Sequence, residues 1–345
     1  MKIIQGGITI YGIILAAGKG ERMNPLTLEI PKALVSIAGK TLLEWSIDRL
    51  YSAGCNNIIV ATGWKSDMMR KFLTTLDHPA TIHLIEVSNY EKGPLQTFVT
   101  AANLVHDSIS ILNPVDLVIS SNVVTSIISR HPKDNPFAVT LAIDYSAIQG
   151  SDVFVNRDEH IIAISNEHDG ESRKAKSAML LAFSSGFSSY CQDMLKNGSS
   201  NIFSVLNSII ERENSVFGFP ISEKWYDIDT KKDALNVNRH LLESISIQDS
   251  TSVFVPPGDS MEIGDTLSLG SSITLGRGVL LKGPCLIQKK SKIDDNCSIG
   301  PYVSLSAMTH IGSNCQLYDA SIFGSSVVVP HSKINNAIVY QSKIY

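Results

Sequence analysis

Two glycines and three cations follow the first apolar run of the chain. The run IILAA suits a strand buried on both faces of a sheet, and it leads directly into Gly18 and Gly20. Glycines let the backbone turn tightly and bring its N–H groups close to an anion, and Lys19, Arg22 and Lys32 add three positive charges to the same stretch. This combination of residue types and spacing predicts a binding site for a triphosphate.

The elements around this loop alternate between strand and helix patterns. Short apolar runs rich in β-branched residues predict strands, and apolar residues at helical spacing predict helices. The predicted strands cover residues 57–62, 81–87, 109–112, 137–144, 161–165 and 177–183, and the predicted helices cover residues 41–51, 66–76, 201–212 and 231–242. This order indicates an α/β fold with a mostly parallel, Rossmann-like sheet, which binds ligands beyond the carboxyl ends of its strands. The glycine loop lies at such an end.

Three acidic residues that are far from the loop in sequence lie at the tip of a predicted strand or just before a predicted helix. Asp116 follows the strand at 109–112, and Asp227 and Asp229 precede the helix at 231–242. Carboxylates at these places can hold a divalent cation, but each also has a structural interpretation. Asp116 can cap a turn after proline, and the other two can act as favourable charges at a helix N-terminus.

The sequence changes character at about residue 263. Nine successive groups of six residues between Ile263 and Gln316 begin with Ile or Leu, and the register slips by one residue at 317–322. A period of six is typical of a parallel β-helix, a solenoid of short strands that stacks an aliphatic column. We therefore expect two domains, an α/β domain at residues 1–245 and an all-β solenoid at residues 246–345.

Composition limits the classes of function. The chain has 345 residues, 43% of them hydrophobic, and a net charge of −4 with a pI of about 6.1, so it offers no basic field to a nucleic acid. The five cysteines form no C-x-x-C pair, which argues against a disulfide framework or a zinc site and fits a reducing cytoplasm. No apolar run reaches membrane-spanning length. We expect a cytoplasmic protein that acts on small molecules, with residues 1–10 as an extra strand or arm.

The stretch LAAGKGERMNPLTLEIPKALVSIAGKTLLEW resembles the signature of the sugar-1-phosphate nucleotidyltransferases. That signature runs L-A-A-G-x-G-T-R-M/L-x-P-L-T, then P-K, then G-K-P-L. The later segment WYDIDTKKDALNVNRHLL resembles the family's closing segment, W-x-D-V/I-G/D-T-P-E-D-L. Many members also carry a C-terminal left-handed β-helix, which agrees with the repeat. The resemblance implies an enzyme that condenses a nucleoside triphosphate (NTP) with a sugar 1-phosphate and releases pyrophosphate and an NDP-sugar.

The resemblance also implies roles for individual residues. Arg22 and Lys32 match the catalytic places, with Arg22 on the charge that builds toward the leaving pyrophosphate and Lys32 by the α-phosphate. Asp116 and Asp227 match two carboxylates that would hold Mg²⁺ against the phosphates. On this basis we favour Asp227 as a metal ligand and leave Asp229 open between a supporting role and a structural one. The nucleotide-binding places of the family fall on Ala16, Ala17, Gly18, Lys19, Gly20 and Gly93.

Two departures from the family pattern bear on the choice of substrates. Ser88 stands where many relatives use glutamine to read the base, so the identity of the base stays open. The family's E-K-P segment, whose lysine meets the sugar phosphate, corresponds here to Glu167-His168-Asp169 and lacks that lysine. Other lysines can substitute for it, and the candidates are Lys174, Lys176 and Lys224.

Three hypotheses about function follow. The first is a Mg²⁺-dependent nucleotidyltransferase for an NTP and a sugar 1-phosphate, in which the β-helix assembles a homo-oligomer. The second is a cytidylyltransferase for a non-sugar phosphate such as inositol phosphate or phosphocholine, which the D-I-D-T segment and the altered E-K-P site favour. The third is a catalytically weak regulatory subunit that binds a nucleotide sugar. We expect no acyl transfer by the β-helix, because no loop interrupts the repeats.

Overall fold

A computed structural model describes most of the chain. It covers residues 9–105, 108–164, 172–213, 215–244, 251–269 and 272–345. Three features of the sequence analysis lie largely or wholly outside the described residues: the arm at residues 1–10, the counterpart of the E-K-P segment at residues 167–169, and the domain boundary at residues 245–246. No helix in the described ranges is long and apolar enough to span a membrane.

The helices of the described residues have at most 14 residues each. In chain order they are α1 (Leu26–Glu29), α2 (Leu42–Ser52), α3 (Ser66–Thr75), α4 (Pro94–Ala102), α5 (Ser121–Arg130), α6 (Ser185–Lys196), α7 (Ile202–Glu213) and α8 (Lys231–Ser244). Short 3-10 turns cover Glu21–Met23, Lys32–Leu34 and Tyr90–Lys92. The four helices that the sequence pattern predicts correspond to α2, α3, α7 and α8, with ends that differ by no more than about two residues, as is usual for helix boundaries.

The strands fall into two groups. The first group, up to residue 227, comprises β1 (Tyr11–Ala16), β2 (Ser36–Ile37), β3 (Lys40–Thr41), β4 (Asn57–Thr62), β5 (Thr81–Glu86), β6 (Ser110–Pro114), β7 (Leu117–Val118), β8 (Val139–Asp144), β9 (Ser151–Val155), β10 (Ile161–Ile164), β11 (Arg173–Phe183), β12 (Val216–Pro220) and β13 (Tyr226–Asp227). The second group comprises β14 (Val253–Val255), β15 (Ser260–Ile263), β16 (Leu267–Leu269), β17 (Ile273–Leu275), β18 (Val279–Lys282), β19 (Cys285–Ile287), β20 (Lys292–Ile293), β21 (Ser298–Ile299), β22 (Val303–Leu305), β23 (His310–Ile311), β24 (Gln316–Phe323), β25 (Val327–Val328), β26 (Lys333–Tyr340) and β27 (Lys343–Ile344).

The chain folds as two compact units. The first unit consists of Met1–Lys19 and Leu43–Asp227, and the second consists of Gly20–Leu42 and Ile228–Tyr345. The glycine-rich stretch of the sequence is therefore divided, because its first half belongs to the first unit and its second half to the second.

A mixed sheet forms the centre of the first unit. Its strand order is β10-β9-β11-β6-β1-β4-β5, with β8 on β11 and β12 on β8. β1 runs parallel to both neighbours, β4 and β6, whereas β11 runs antiparallel to β6, β8 and β9. Ile13 and Ile14 of β1 are fully buried, as expected for a strand covered on both faces. The prediction of an α/β fold is confirmed, with a sheet that is parallel at β1, β4, β5 and β6 and antiparallel around β11.

Aromatic side chains fill the core beside this sheet. Phe98 of α4 packs against Phe183 of β11 and Phe187 of α6, with ring centroids 5.2 and 5.6 Å apart. All three rings are fully buried. Burial of each such side chain contributes about 1.5–3 kcal/mol, so this cluster fixes α4 against the sheet.

The second unit contains a solenoid of stacked coils. Thr274 of β17 pairs with Lys292 of β20, which pairs with His310 of β23, so one coil takes 18 residues at each step. The next step, from His310 to Val327 of β25, takes 17 residues. An 18-residue coil equals three groups of six, and the shorter step accounts for the one-residue slip seen in the sequence. Inside the coils, aliphatic side chains stack in a column that includes Leu275, Ile293, Ile311 and Val328.

The segment before the first coil runs in the opposite direction. β14, β15 and β16 pair antiparallel with β19, β18 and β17. The period-six pattern from residue 263 therefore begins before the parallel stacking does, and the coils start at β17.

Helix α8 and the segment 20–42 are tied to the coils by a buried amide. Asn238 of α8 is fully buried, and its Oδ1 accepts hydrogen bonds from the Ala38 N–H (2.8 Å) and the Ser304 hydroxyl (2.8 Å). Its Nδ2 donates to the carbonyl of Tyr302. Nearby, Arg239 pairs with the fully buried Asp319. These hydrogen bonds connect the segment that carries Arg22 and Lys32 to the coils of the same unit.

Candidate active site

The first half of the glycine loop lies at the carboxyl end of β1. Residues Ala16 and Ala17 are buried, and the Ala17 carbonyl accepts a hydrogen bond of 3.0 Å from the Trp64 N–H, just beyond β4. A Cβ placed on Gly18 would meet no described atom within 4 Å, so open space adjoins the loop there. The backbone at Gly18 is therefore accessible to a ligand at the ligand-binding edge of the sheet.

Lys19 is held loosely at the same edge. Its Nζ lies 2.6 Å from Glu91 Oε1 and 5.9 Å from the centre of the Trp64 ring. Both charged side chains are well exposed, and an exposed ion pair of this kind is worth about 1 kcal/mol or less. A phosphate group can therefore replace Glu91 as the partner of Lys19 at little cost in free energy.

Asp116 and Asp227 meet at a short two-stranded ribbon in the first unit. β7 pairs antiparallel with β13, so that Asp227 lies opposite Leu117, the residue next to Asp116. One carboxylate oxygen of Asp116 lies within 4.8 Å of one of Asp227. The Val115 N–H donates to the Leu15 carbonyl (3.2 Å), which places Asp116 beside the end of β1. The structure thus brings together the two carboxylates that the resemblance assigned to a metal.

The chemistry of this pair fits a hard divalent cation. Two carboxylates so close repel each other unless a positive charge compensates them, and carboxylate oxygens are the ligands that Mg²⁺ and similar ions prefer. Asp116 is half-buried and Asp227 is exposed, which leaves room for water and phosphate oxygens around an ion.

A buried arginine that the sequence analysis missed supports this part of the site. Arg49 of α2 donates from Nε to the Ile119 carbonyl and from Nη1 to Asn113 Oδ1, both at 2.8 Å. Burial lowers the pKa of Arg49 to about 10, although nearby Asp48 opposes the shift. The bonds fix both ends of the turn that carries Asp116. The sequence contained one signal for this role of Arg49, which is a charged residue on the apolar face of a predicted helix.

Arg22 and Lys32 converge on one carboxylate in the second unit. Arg22 Nη1 lies 2.5 Å from Asp229 Oδ2, and Lys32 Nζ lies 3.3 Å from Asp229 Oδ1. The Arg22 side chain is 71% exposed, whereas that of Lys32 is 11% exposed. The two predicted catalytic cations are therefore neighbours, one exposed at the surface and one nearly buried.

Gly20 shapes the loop between these cations. It has a φ of +65°, and a Cβ there would lie 3.0 Å from the Lys32 Cβ. The Thr27 hydroxyl donates to the Gly20 carbonyl (2.8 Å), which fixes the turn from the other side. Gly20 is therefore required both for its left-handed backbone and for its lack of a side chain.

Asp229 is positioned by the start of α8. Thr230 Oγ1 accepts from the Asp233 N–H, and Asp233 Oδ2 accepts from the Thr230 N–H, which is a reciprocal capping box. Asp233 Oδ2 also accepts from the N–H of Asp229 itself, at 3.2 Å. The backbone of Asp229 is thus fixed by a helix terminus and not by a free loop.

A second polar cluster in the first unit surrounds the start of β11. Lys174 and Lys176 each bind the buried Asp152, at 3.0 and 2.7 Å, and their hydrogen bonds lower the pKa of that carboxyl. Trp225 Nε1 donates to Asp144 Oδ2 at 3.0 Å. These two acidic residues were not singled out in the sequence, and Asp152 pairs with both Lys174 and Lys176, two of the lysines proposed as substitutes for the E-K-P lysine. Lys224 lies exposed.

The residues expected near the base lie in the loop between β5 and α4. Gly93 has a φ of +110°, and a Cβ there would approach the Ser200 carbonyl to 2.8 Å, so no larger residue fits. Ser88 is exposed in the turn after β5. The roles of Ala16, Ala17, Gly18, Lys19, Gly20 and Gly93 in nucleotide binding stay predictions.

Comparisons with known proteins find related families and relatives. A protein-family model described as the MobA-like NTP transferase domain matches residues 12–168, and one described as the GMPPB C-terminal domain matches residues 281–344. Mannose-1-phosphate guanyltransferase beta-B of Xenopus laevis is 23% identical over 344 residues, which cover 95% of this chain and 85% of the relative. CTP:phosphoglutamine cytidylyltransferase of Campylobacter jejuni is 36% identical over 109 residues, which cover 31% of this chain and 41% of the relative.

A solved structure shares the fold. A crystal structure described as that of a glucose-1-phosphate thymidylyltransferase from Bacillus anthracis covers 70% of this chain and is itself covered to 98%, with a TM-score of 0.58 and 17% identity. At this identity the likeness establishes the fold alone.

Proposed function

We propose that this chain, which belongs to the sugar-phosphate nucleotidyltransferase family, condenses an NTP with a sugar 1-phosphate to give an NDP-sugar and pyrophosphate. In this reaction an oxygen of the sugar phosphate attacks the α-phosphorus of the NTP in line, and pyrophosphate leaves. The protein needs no covalent nucleophile. Its task is to position two anions and to neutralise the charge that they bring together.

One arrangement in the first unit carries this proposal. The glycine loop after β1 and Asp116 after β6 leave neighbouring parallel strands at the same edge of the sheet, and Asp227 pairs beside Asp116. A phosphate-binding backbone next to a pair of carboxylates is what a metal-bound triphosphate requires. We assign Ala16 to Gly20 to the phosphates and Gly93 to the base.

Arg22 and Lys32 supply the positive charge in this proposal. Lys32 is nearly buried, so its ammonium group is weakly screened and has a fixed position. We assign Lys32 to the α-phosphate and Arg22 to the charge that develops on the leaving pyrophosphate. The exposure of Arg22 allows it to follow that group as it departs.

Asp116 and Asp227 are assigned to Mg²⁺. The ion would screen the triphosphate and neutralise charge on the leaving group, and the two carboxylates would hold it through oxygen ligands. The chain's own part is to keep both carboxylates in register, which the pairing of β7 with β13 and the hydrogen bonds of Arg49 accomplish.

A cytidylyltransferase for a non-sugar phosphate is the second candidate. The observation in its favour is the 36% identity, over 109 residues, to a relative named CTP:phosphoglutamine cytidylyltransferase. The lysines at the start of β11 also differ from the family pattern, because Lys174 and Lys176 are both bound to Asp152. An acceptor other than a sugar 1-phosphate would meet a different set of charges there.

Assembly and location are part of the same proposal. Large apolar side chains are exposed on the β-helix at Met308, Val327, Val329 and Ile344, which supports a homo-oligomer formed through that part of the chain. Light scattering after gel filtration would measure its mass. The five buried, free cysteines support a reducing location such as the cytoplasm, which fractionation of cells would test.

The experiment for the proposed function is a matrix of substrates. The purified chain is incubated with Mg²⁺, each of the common NTPs and a set of sugar 1-phosphates, inositol phosphate and phosphocholine, and released pyrophosphate is measured. We expect release with one NTP and one sugar 1-phosphate. Release with CTP and a non-sugar phosphate alone would select the second candidate, and the absence of release in every combination would refute both.

A further inference from the structure

Asp229 bridges the side chains of Arg22 and Lys32 with its two carboxylate oxygens. Each of its carboxylate oxygens takes one cation, Oδ2 at 2.5 Å from Arg22 and Oδ1 at 3.3 Å from Lys32. Two oxygens on one centre, bridging a guanidinium and an ammonium group, match two oxygens of a phosphate group. We propose that Asp229 stands in for the substrate phosphates when the site is empty and releases Arg22 and Lys32 when a triphosphate binds. This inference rests on the proposed function of those two cations.

The position of Asp229 suits this role because its backbone cannot drift. Its N–H donates to Asp233 Oδ2, and the reciprocal bonds between Thr230 and Asp233 fix the residue that follows it. The side chain itself is 22% exposed, so the carboxylate can turn toward solvent when another anion replaces it. Because the backbone of Asp229 is fixed, its carboxylate can return to the same position after each turnover.

The two cations differ in how they depend on Asp229. The 11% exposure of Lys32 means that its ammonium group stays near this place whether or not the carboxylate is there, and a nearly buried charge is costly without a counter-charge. Arg22 is largely exposed and is drawn toward Lys32 by the shared carboxylate. Asp229 therefore lies at the place where a single anion meets both cations.

A competing carboxylate must weaken the affinity for phosphate groups. A triphosphate gains the interactions with Arg22 and Lys32 only by displacing Asp229, and the pyrophosphate product loses them again when Asp229 returns. Removing the charge of Asp229 should therefore tighten the binding of any polyphosphate and lower the KM for NTP, while kcat does not rise because product release slows. Asp229 acts through the two cations and is a positioning residue.

The direct test measures binding without turnover. Inorganic tripolyphosphate is titrated into the chain by calorimetry in the presence of EDTA, with the wild type and Asp229→Asn compared at equal salt. We expect Asp229→Asn to bind about five- to tenfold more tightly, because it removes the carboxylate that competes with phosphate for both cations. Asp295→Asn is the matched control. It removes one negative charge from an exposed pair with Arg277 in the same unit and should leave the affinity unchanged.

The outcomes separate this role from a structural one. Binding that is unchanged or weaker in Asp229→Asn overturns the proposal, as does a gain of equal size in the Asp295→Asn control. Asp229→Glu, which keeps the charge, should bind within about twofold of the wild type. Should Asp229→Asn not fold, Asp229→Ser gives the same comparison. A lack of pyrophosphate release by the wild type would refute the proposed function and leave the calorimetric answer on Asp229 intact.

Discussion

Replacing Lys32 by methionine removes a charge while it keeps most of the side chain's length. The ammonium group lies 3.3 Å from Asp229 Oδ1 and the side chain is 11% exposed, so its interactions are poorly screened by water. One such preorganised charge is worth about 3 kcal/mol in a transition state, and each 1.36 kcal/mol corresponds to about tenfold in rate. We therefore expect kcat/KM for pyrophosphate release to fall by about 10² or more.

The assay needs a control for the loss of a surface charge and for stability. Lys289→Met removes an exposed lysine from a turn of the β-helix and should keep the wild-type rate. Urea unfolding should show that Lys32→Met remains folded, because Asp229 keeps Arg22 as a partner. A Lys32→Met variant that is folded and turns over within a few-fold of the wild type would refute the assignment of this cation to the reacting phosphate.

Three further predictions concern the metal, the loop and the pH dependence of stability. Asp227→Asn and Asp116→Asn should each raise the divalent cation concentration needed for half-maximal rate by about 10- to 100-fold, and EDTA should abolish activity; metal titrations of the rate that match the wild type would contradict this. Gly20→Ala should lower the free energy of unfolding in urea by about 1–2 kcal/mol, because Gly20 has a φ of +65° and an added Cβ would meet Lys32. Gly264→Ala is the control, because a Cβ on Gly264 would meet no described atom within 4 Å. Burial lowers the pKa of His131 from 6.5 to about 4, so between these pH values the unfolded chain binds a proton that the folded protein does not. The free energy of unfolding should therefore be highest above about pH 6.5 and fall by up to about 3 kcal/mol as the pH drops toward 4. If His131→Gln does not make this pH dependence shallower, another group is responsible.

The parts of the fold that depend on local pattern could be predicted from the sequence. β4 was predicted at its observed bounds, and α3 within one residue, because a short apolar run and a helical spacing each leave a local signal. The period of six predicted the solenoid and the place where its register slips, since each coil repeats the same geometry. β9 and β12 were not predicted, because their residues alternate too weakly to stand out and their strands exist through pairing with β11 and β8.

The site shows the same division between local and long-range information. The glycine loop, Arg22, Lys32, Asp116 and Asp227 could be named from motifs that keep fixed spacing. The role of Asp229 could not be decided, because the two ion pairs that define it join residues about 200 positions apart in the chain. The same holds for Arg49, whose hydrogen bonds reach residues more than 60 positions away. Sequence spacing identifies the groups that we propose take part in the reaction, whereas packing identifies the groups that hold them.

The central claim is that an oxygen of the acceptor phosphate attacks the α-phosphorus of the NTP. The most direct test uses the sugar 1-phosphate selected by the substrate matrix, labelled with ¹⁸O in its phosphate group, and follows the products by mass. We predict that all of the label appears in the NDP-sugar and none in pyrophosphate, with one pyrophosphate released for each NDP-sugar formed. Release of the nucleoside monophosphate or diphosphate without an NDP-sugar, or label in the pyrophosphate, would contradict nucleotidyl transfer.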